Sequence, residues 1–78
     1  MQRKHKSKIQ SIIFEKLLYT PEEARKWLKK NEFKPIKHVD KTKNFLRYRI
    51  RSPKKGSRYR MIEFTDGIKA VIMFWTIF

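Results

Sequence analysis

Residues 44–64 read NFLRYRIRSPKKGSRYRMIEF, and on either side of SPKKGS the arginines recur at every second position. A period of two sends successive side chains to opposite faces of a pleated strand, whereas a helix would spread the same arginines around its circumference. One face of the first segment therefore carries Leu46, Tyr48 and Ile50, and the other carries Phe45, Arg47, Arg49 and Arg51. In the second segment Arg58 and Arg60 share a face, with Tyr59 and Met61 opposite. If the two segments pair through SPKKGS, five arginines converge on one sheet surface. Each like-charge neighbour pair there would cost roughly a few tenths of a kcal/mol. A row of phosphates would relieve that repulsion, because the planar guanidinium fork binds phosphate in a bidentate manner. The competing reading of the same pattern is an exposed, solubilising sheet face.

The remaining elements follow from local signals. IQSIIF, residues 9–14, is rich in β-branched and aromatic residues and reads as a buried strand that can run on towards Leu18. YTPEEARKWLKKN is a helix start and stop. Thr20 is the N-cap, Pro21 the first helical residue, Glu23 completes the capping box and Asn31 ends the helix. Ala24, Trp27 and Leu28 make one apolar stripe, with Trp27 as a core anchor and the lysines facing elsewhere. Beyond Pro35, KPIKHVDKTKNFLRYRIRS reads as two strands about a turn at residues 40–44. SPKKGS and Thr65-Asp66-Gly67 are the next turns, and IKAVIMFWTIF closes the chain. The expectation is a single small α+β domain in the order β-α-β-β-β. Its antiparallel sheet would carry one helix on one face, and its last three strands would form a meander. The expected divisions are a basic N-terminal arm at 1–8, the domain at 9–72 and an apolar C-terminal extension at 73–78.

Charge narrows the function. Lys and Arg number 21 against 7 acids, a formal net charge of +14, while 40% of residues are hydrophobic, so the chain reads as a folded module that seeks polyanions. Cysteine is absent and His5 and His38 stand far apart, which argues against disulfides, zinc or any other metal. No run approaches the roughly 20 apolar residues of a membrane span, and no signal-peptide core follows the basic start. The expected location is therefore inside the cell. No phosphate-cradling glycine loop, paired-carboxylate spacing or nucleophile motif is present, so neither enzyme activity nor a cofactor is expected.

The candidate nucleic-acid-binding residues are Arg47, Arg49, Arg51, Arg58 and Arg60, with Lys54 and Lys55 at the hairpin tip and Phe45 at the edge of the arginine face. Phosphate contacts with low sequence specificity are expected, since none of the common base-reading motifs occurs. About six neutralised phosphates would give a log–log salt slope of roughly −5 on duplex. A second reading rests on the apolar end, where Met73, Phe74, Trp75, Ile77 and Phe78 would bury against another protein chain or pair at a sheet edge, self-association included.

The chain from residue 9 to about 72 resembles a small domain family of phages and large DNA viruses. The likeness is carried by the opening IQSIIF strand, by Glu23, Ala24, Trp27, Leu28, Lys34 and Pro35, by Val39, Asp40, Asn44, Arg47, Tyr48 and Arg49, and by GIKAVI at residues 67–72. The resemblance implies no activity for any residue. It implies a viral setting, in host cytoplasm, nucleus or virion, where a small basic protein meets the genome, or acidic surfaces of coat and other virion proteins as a minor capsid component.

Overall fold

A computed structural model describes residues 4–77 of the protein. The elements are β1 (Lys4–Glu15), α1 (Pro21–Lys30), β2 (Asp40–Lys41), β3 (Phe45–Arg49), β4 (Arg58–Thr65) and β5 (Ile68–Ile77). The strands form one antiparallel sheet in the order β2-β3-β1-β5-β4. The fold is thus a small single α+β domain of one helix and a five-stranded sheet.

The expected meander of the last three strands does not form, because β3 pairs with β1 and only β4 and β5 remain neighbours. The physical reason lies in β1. Ile12 and Phe14 are fully buried, and a strand that apolar gains most from the centre of the sheet, with a partner on each side. Placing β1 and β5 between β3 and β4 also keeps the two arginine-rich strands from lying side by side. The strand expected at residues 34–39 does not form, and the two residues of β2 fall at the start of the turn expected at 40–44. Pro35 has no N–H to donate, and the segment makes one ladder-like bond, from Ile36 N to Arg49 O at 2.9 Å.

The divisions at residues 8 and 73 are also overrun. Lys4–Lys8 belongs to β1 and runs opposite Met73–Ile77, so the expected arm and the expected extension are two sides of one ladder. Met1–Arg3 and Phe78 lie outside the described residues. A bulge interrupts this ladder between Ile9 and Ser11. There the Gln10 carbonyl accepts from Ile50 N and Arg51 N, the Gln10 side-chain amide donates to Arg51 O, and Ser11 Oγ donates to Gln10 Oε1 at 2.6 Å. Two buried polar side chains are thereby satisfied, and the side-chain parity of β1 changes at the bulge.

Ala24 and Leu28 of α1 join Ile12, Phe14, Leu46, Tyr48 and Ile68 in one buried cluster. Phe14 lies at its centre, with Tyr19, Trp27 and Tyr48 packed edge-on at ring separations of 5.4–5.6 Å. The helix begins as its residues dictate, with both halves of the Thr20–Glu23 capping box formed at 3.2 Å. Its far end is a Schellman turn, in which Phe33 N donates to Leu28 O and Glu32 N to Lys29 O. Glu32 occupies the left-handed position of that turn, with φ of 63°, where glycine is usual. Replacing Glu32 by glycine is therefore expected to stabilise the domain by about 1 kcal/mol, read as a higher urea midpoint with an unchanged slope. A lower midpoint would show that the glutamate side chain contributes more than its backbone conformation costs.

Gly67, at φ of 80°, closes the β4–β5 turn against the segment after β1. A Cβ there would sit 3.0 Å from the Tyr19 ring and 2.6 Å from the Leu18 side chain. The turn is held by Glu15 N donating to Gly67 O at 2.8 Å and by Tyr19 OH donating to Asp66 O at 3.4 Å. No helix among the described residues is long and apolar enough to cross a membrane.

Candidate nucleic-acid interface

Side chains directly opposite across an antiparallel ladder share a face, so the register shows which residues meet. On the face turned away from Phe14, one row across the sheet runs Arg47, Ile13, Lys69, Glu63 and the next runs Arg49, Ser11, Val71, Met61. Beyond the bulge follow Lys8, Met73, Tyr59 and then Lys6, Trp75. Among the described residues no helix covers this face. Arg47 and Arg49 are half-buried on it, Lys6 and Lys8 are exposed, and Tyr59 and Met61 keep 48% and 57% of their surface. Among the described residues the one ion pair joins Lys26 to Glu22 on the helix, so no carboxylate neutralises the cations of the open face within 4.0 Å.

Residues 51–57 cross over β1 and β5 on this same face to reach β4. Lys54 N donates to Met73 Sδ at 3.1 Å and its ammonium lies 4.4 Å from the centre of the Trp75 ring. This strap buries Met73 and bounds a depression lined by Gln10, Arg47, Arg49, Pro53, Tyr59 and Val71. At the other end of the face the Lys69 ammonium sits 5.7 Å over the ring of Phe45, a cation–π contact beside Arg47.

The structure divides the residues that alternation had grouped. Phe45, Arg47 and Arg49 share the open face, and Lys54 reaches over it from the strap. Arg51 does not join them. β3 ends at Arg49, and the Arg51 guanidinium turns back so that Nε donates to Ile9 O at 2.8 Å, fastening the bulge. Arg58 and Arg60 also fall outside, because they stand opposite Phe74 and Ile72 on the reverse face, beside a shallow hollow lined in part by Ser7 and Ile62. The five-arginine surface is therefore not formed. Its premise was pairing of β3 with β4, and two strands lie between them. Lys55 is exposed in the turn with Gly56.

Of the apolar end, Met73 is buried beneath the strap, while Phe74 and Trp75 are half-buried. Ile77 continues the ladder opposite Lys4, and Phe78 lies outside the described residues. β5 is an inner strand flanked by β1 and β4 up to Phe74, so its apolar character on both faces is largely met within the chain.

Lys6, Lys8, Lys69 and Tyr59 belong to the open face although strand alternation alone did not single them out. Lys69 alternates with buried Ile68 and Ala70, a signal available in GIKAV. Lys6 and Lys8 become legible only once β1 is known to reach Lys4. Among the described residues no group of three His, Asp or Glu side chains could hold a metal ion. Set against protein-family models, curated proteins and solved structures, the chain matches none of them.

Proposed function

We propose that the protein is a non-catalytic module that binds nucleic acid through its phosphates, with the open sheet face as the binding surface. The observation that carries this reading is the set of Lys6, Lys8, Arg47, Arg49 and Lys69 on one helix-free face, joined by Lys54 from the strap, with no ion pair to any of them among the described residues. A sheet face that served only for solubility would mix the two signs of charge evenly, but here the cations outnumber the acids, which are Glu63 opposite Lys69 and Glu15 opposite Phe45. Interleaved with the cations are Phe45, Tyr59 and Met61, apolar surfaces on which a sugar or base can rest. Contacts of this kind fix the polymer by charge and shape and carry little sequence information.

The test is the salt dependence of binding. If the six cations each meet a phosphate, the slope of log Kobs against log salt is about −4 for a single strand or about −5 for a duplex. A slope near zero, or no retention on an oligonucleotide column at low salt, would refute the reading.

A further inference from the structure

The open face does not end at Arg47 and Arg49. Both arginines also line a second cleft, of about 420 Å³, shared with Lys37, His38, Val39 and Asp40 at the β2–β3 edge of the sheet. Lys37, His38 and Val39 in turn line a third and larger cleft, of about 790 Å³, between the last turns of α1 and residues 32–39. The three depressions are therefore contiguous through shared walls. They run from Tyr59 on the open face, past Arg49 and Arg47, around the sheet edge to the helix side.

The large cleft has two chemistries. Its floor is apolar, built from Leu28, Phe33, Val39 and the ring of buried Tyr48, whose hydroxyl already donates to Pro21 O. Burial holds the Tyr48 phenol above its ordinary value against the opposing charge of Arg25, so it stays a neutral group in that floor. Its rim is cationic, with Arg25, Lys29, Lys34 and Lys37 against Glu32. An apolar floor under a basic rim complements a ligand with flat apolar rings strung on an anionic backbone.

We propose that the nucleic acid is single-stranded, that it follows this track around the β2–β3 edge, and that one or two of its bases lodge in the cleft between α1 and residues 32–39. The proposal rests on the open-face reading and specifies its substrate. A duplex is too stiff to follow the turn, since its persistence length is about 150 base pairs, whereas the domain measures only 24 × 22 Å in cross-section. A single strand bends freely and has unpaired base faces to offer to Phe33 and Val39. The segment that forms the outer wall also suits the role, because Ile36 at its centre keeps half its surface exposed over a backbone bond to β3.

The experiment compares the full chain with two double variants, by fluorescence anisotropy, on labelled oligothymidylates of about 4 and about 12 nucleotides, a range spanned by known single-strand sites, and on a 12-base-pair duplex. Lys34 and Lys37 are exposed and outside the core, so Lys34→Glu with Lys37→Glu is expected to leave the fold intact. The longer strand is expected to bind the unaltered protein at least tenfold more tightly than the shorter strand and more tightly than the duplex. The Lys34→Glu/Lys37→Glu variant should lose that gain, its binding of the short strand falling far less than its binding of the long one. Lys34→Arg with Lys37→Arg should retain it. If the glutamate variant keeps the gain, or the duplex binds as tightly as the long strand, the track is wrong and the open-face reading stands. If the unaltered protein binds none of the three, both fall together.

Discussion

Replacement of Arg47 and Arg49 together by glutamine is expected to weaken nucleic-acid binding by at least about 100-fold. Each arginine presents charge-assisted donors worth roughly 1.5–3 kcal/mol when matched to an anion, and a tenfold change in affinity corresponds to about 1.4 kcal/mol. The two stand at successive same-face positions of β3, opposite Ile13 and Ser11, and both line the depression with Tyr59 and the cleft with Lys37. Removing two phosphate contacts should also flatten the salt slope by about 1.4 for a single strand. Glutamine keeps most of the length of the side chain, so packing against Ile13 and Val71 survives and the urea midpoint should stay within about 0.5 kcal/mol of the parent. The same exchange at Arg58 and Arg60, on the reverse face, is the internal control and should cost much less affinity. Equal losses from the two pairs would mean that charge alone, and not the open face, governs binding.

The second large effect concerns the core. Phe14→Ala is expected to remove about 3–5 kcal/mol of stability. Phe14 is fully buried and meets Tyr19, Trp27 and Tyr48 edge-on, so the deletion both loses transfer energy and strips three aromatic partners of a contact worth about 0.5–1.5 kcal/mol each. A domain of 78 residues holds roughly 4–12 kcal/mol in total, so the alanine variant should be at or near the edge of folding. With a urea slope of about 1–2 kcal/mol per molar, the midpoint should fall by some 2 M or more. Phe14→Leu, which keeps most of the volume, should cost less than half as much. An alanine variant within about 1 kcal/mol of the parent would show that the aromatic cluster is not where the domain keeps its stability.

Several elements could be read directly from residues. The capping box at Thr20 and Glu23 is a local interaction between positions three apart, and it forms as the sequence pattern requires. The alternation of Leu46 and Tyr48 with Phe45, Arg47 and Arg49 likewise appears as one buried and one half-buried face of β3. The helix end was legible at Asn31, but not the left-handed Glu32 that follows, because nothing in KKNEFK marks a glutamate for that conformation. Arg51 shows the other limit. Two residues beyond Arg49 it continues the alternation in sequence, yet the strand has ended and its side chain is engaged by a bulge 42 residues away in the chain.

Taken alone, the sequence determined what depends on neighbours: a helix from Pro21, strands of period two, an apolar first strand and a charge of +14 that calls for an anionic partner. Only the tertiary structure decided which strands are neighbours, and with them which cations share a surface. Alternation specifies that Arg58 and Arg60 lie together, but not which side of the sheet receives them. That side depends on the register of β4 against β5 and on the position of β1 between β3 and β5, while the parity change at the Gln10 bulge decides the face of Lys6 and Lys8. Those are long-range pairings, set by where Ile12 and Phe14 can be buried on both flanks, and a strand carries no local mark of the partner that will bury it.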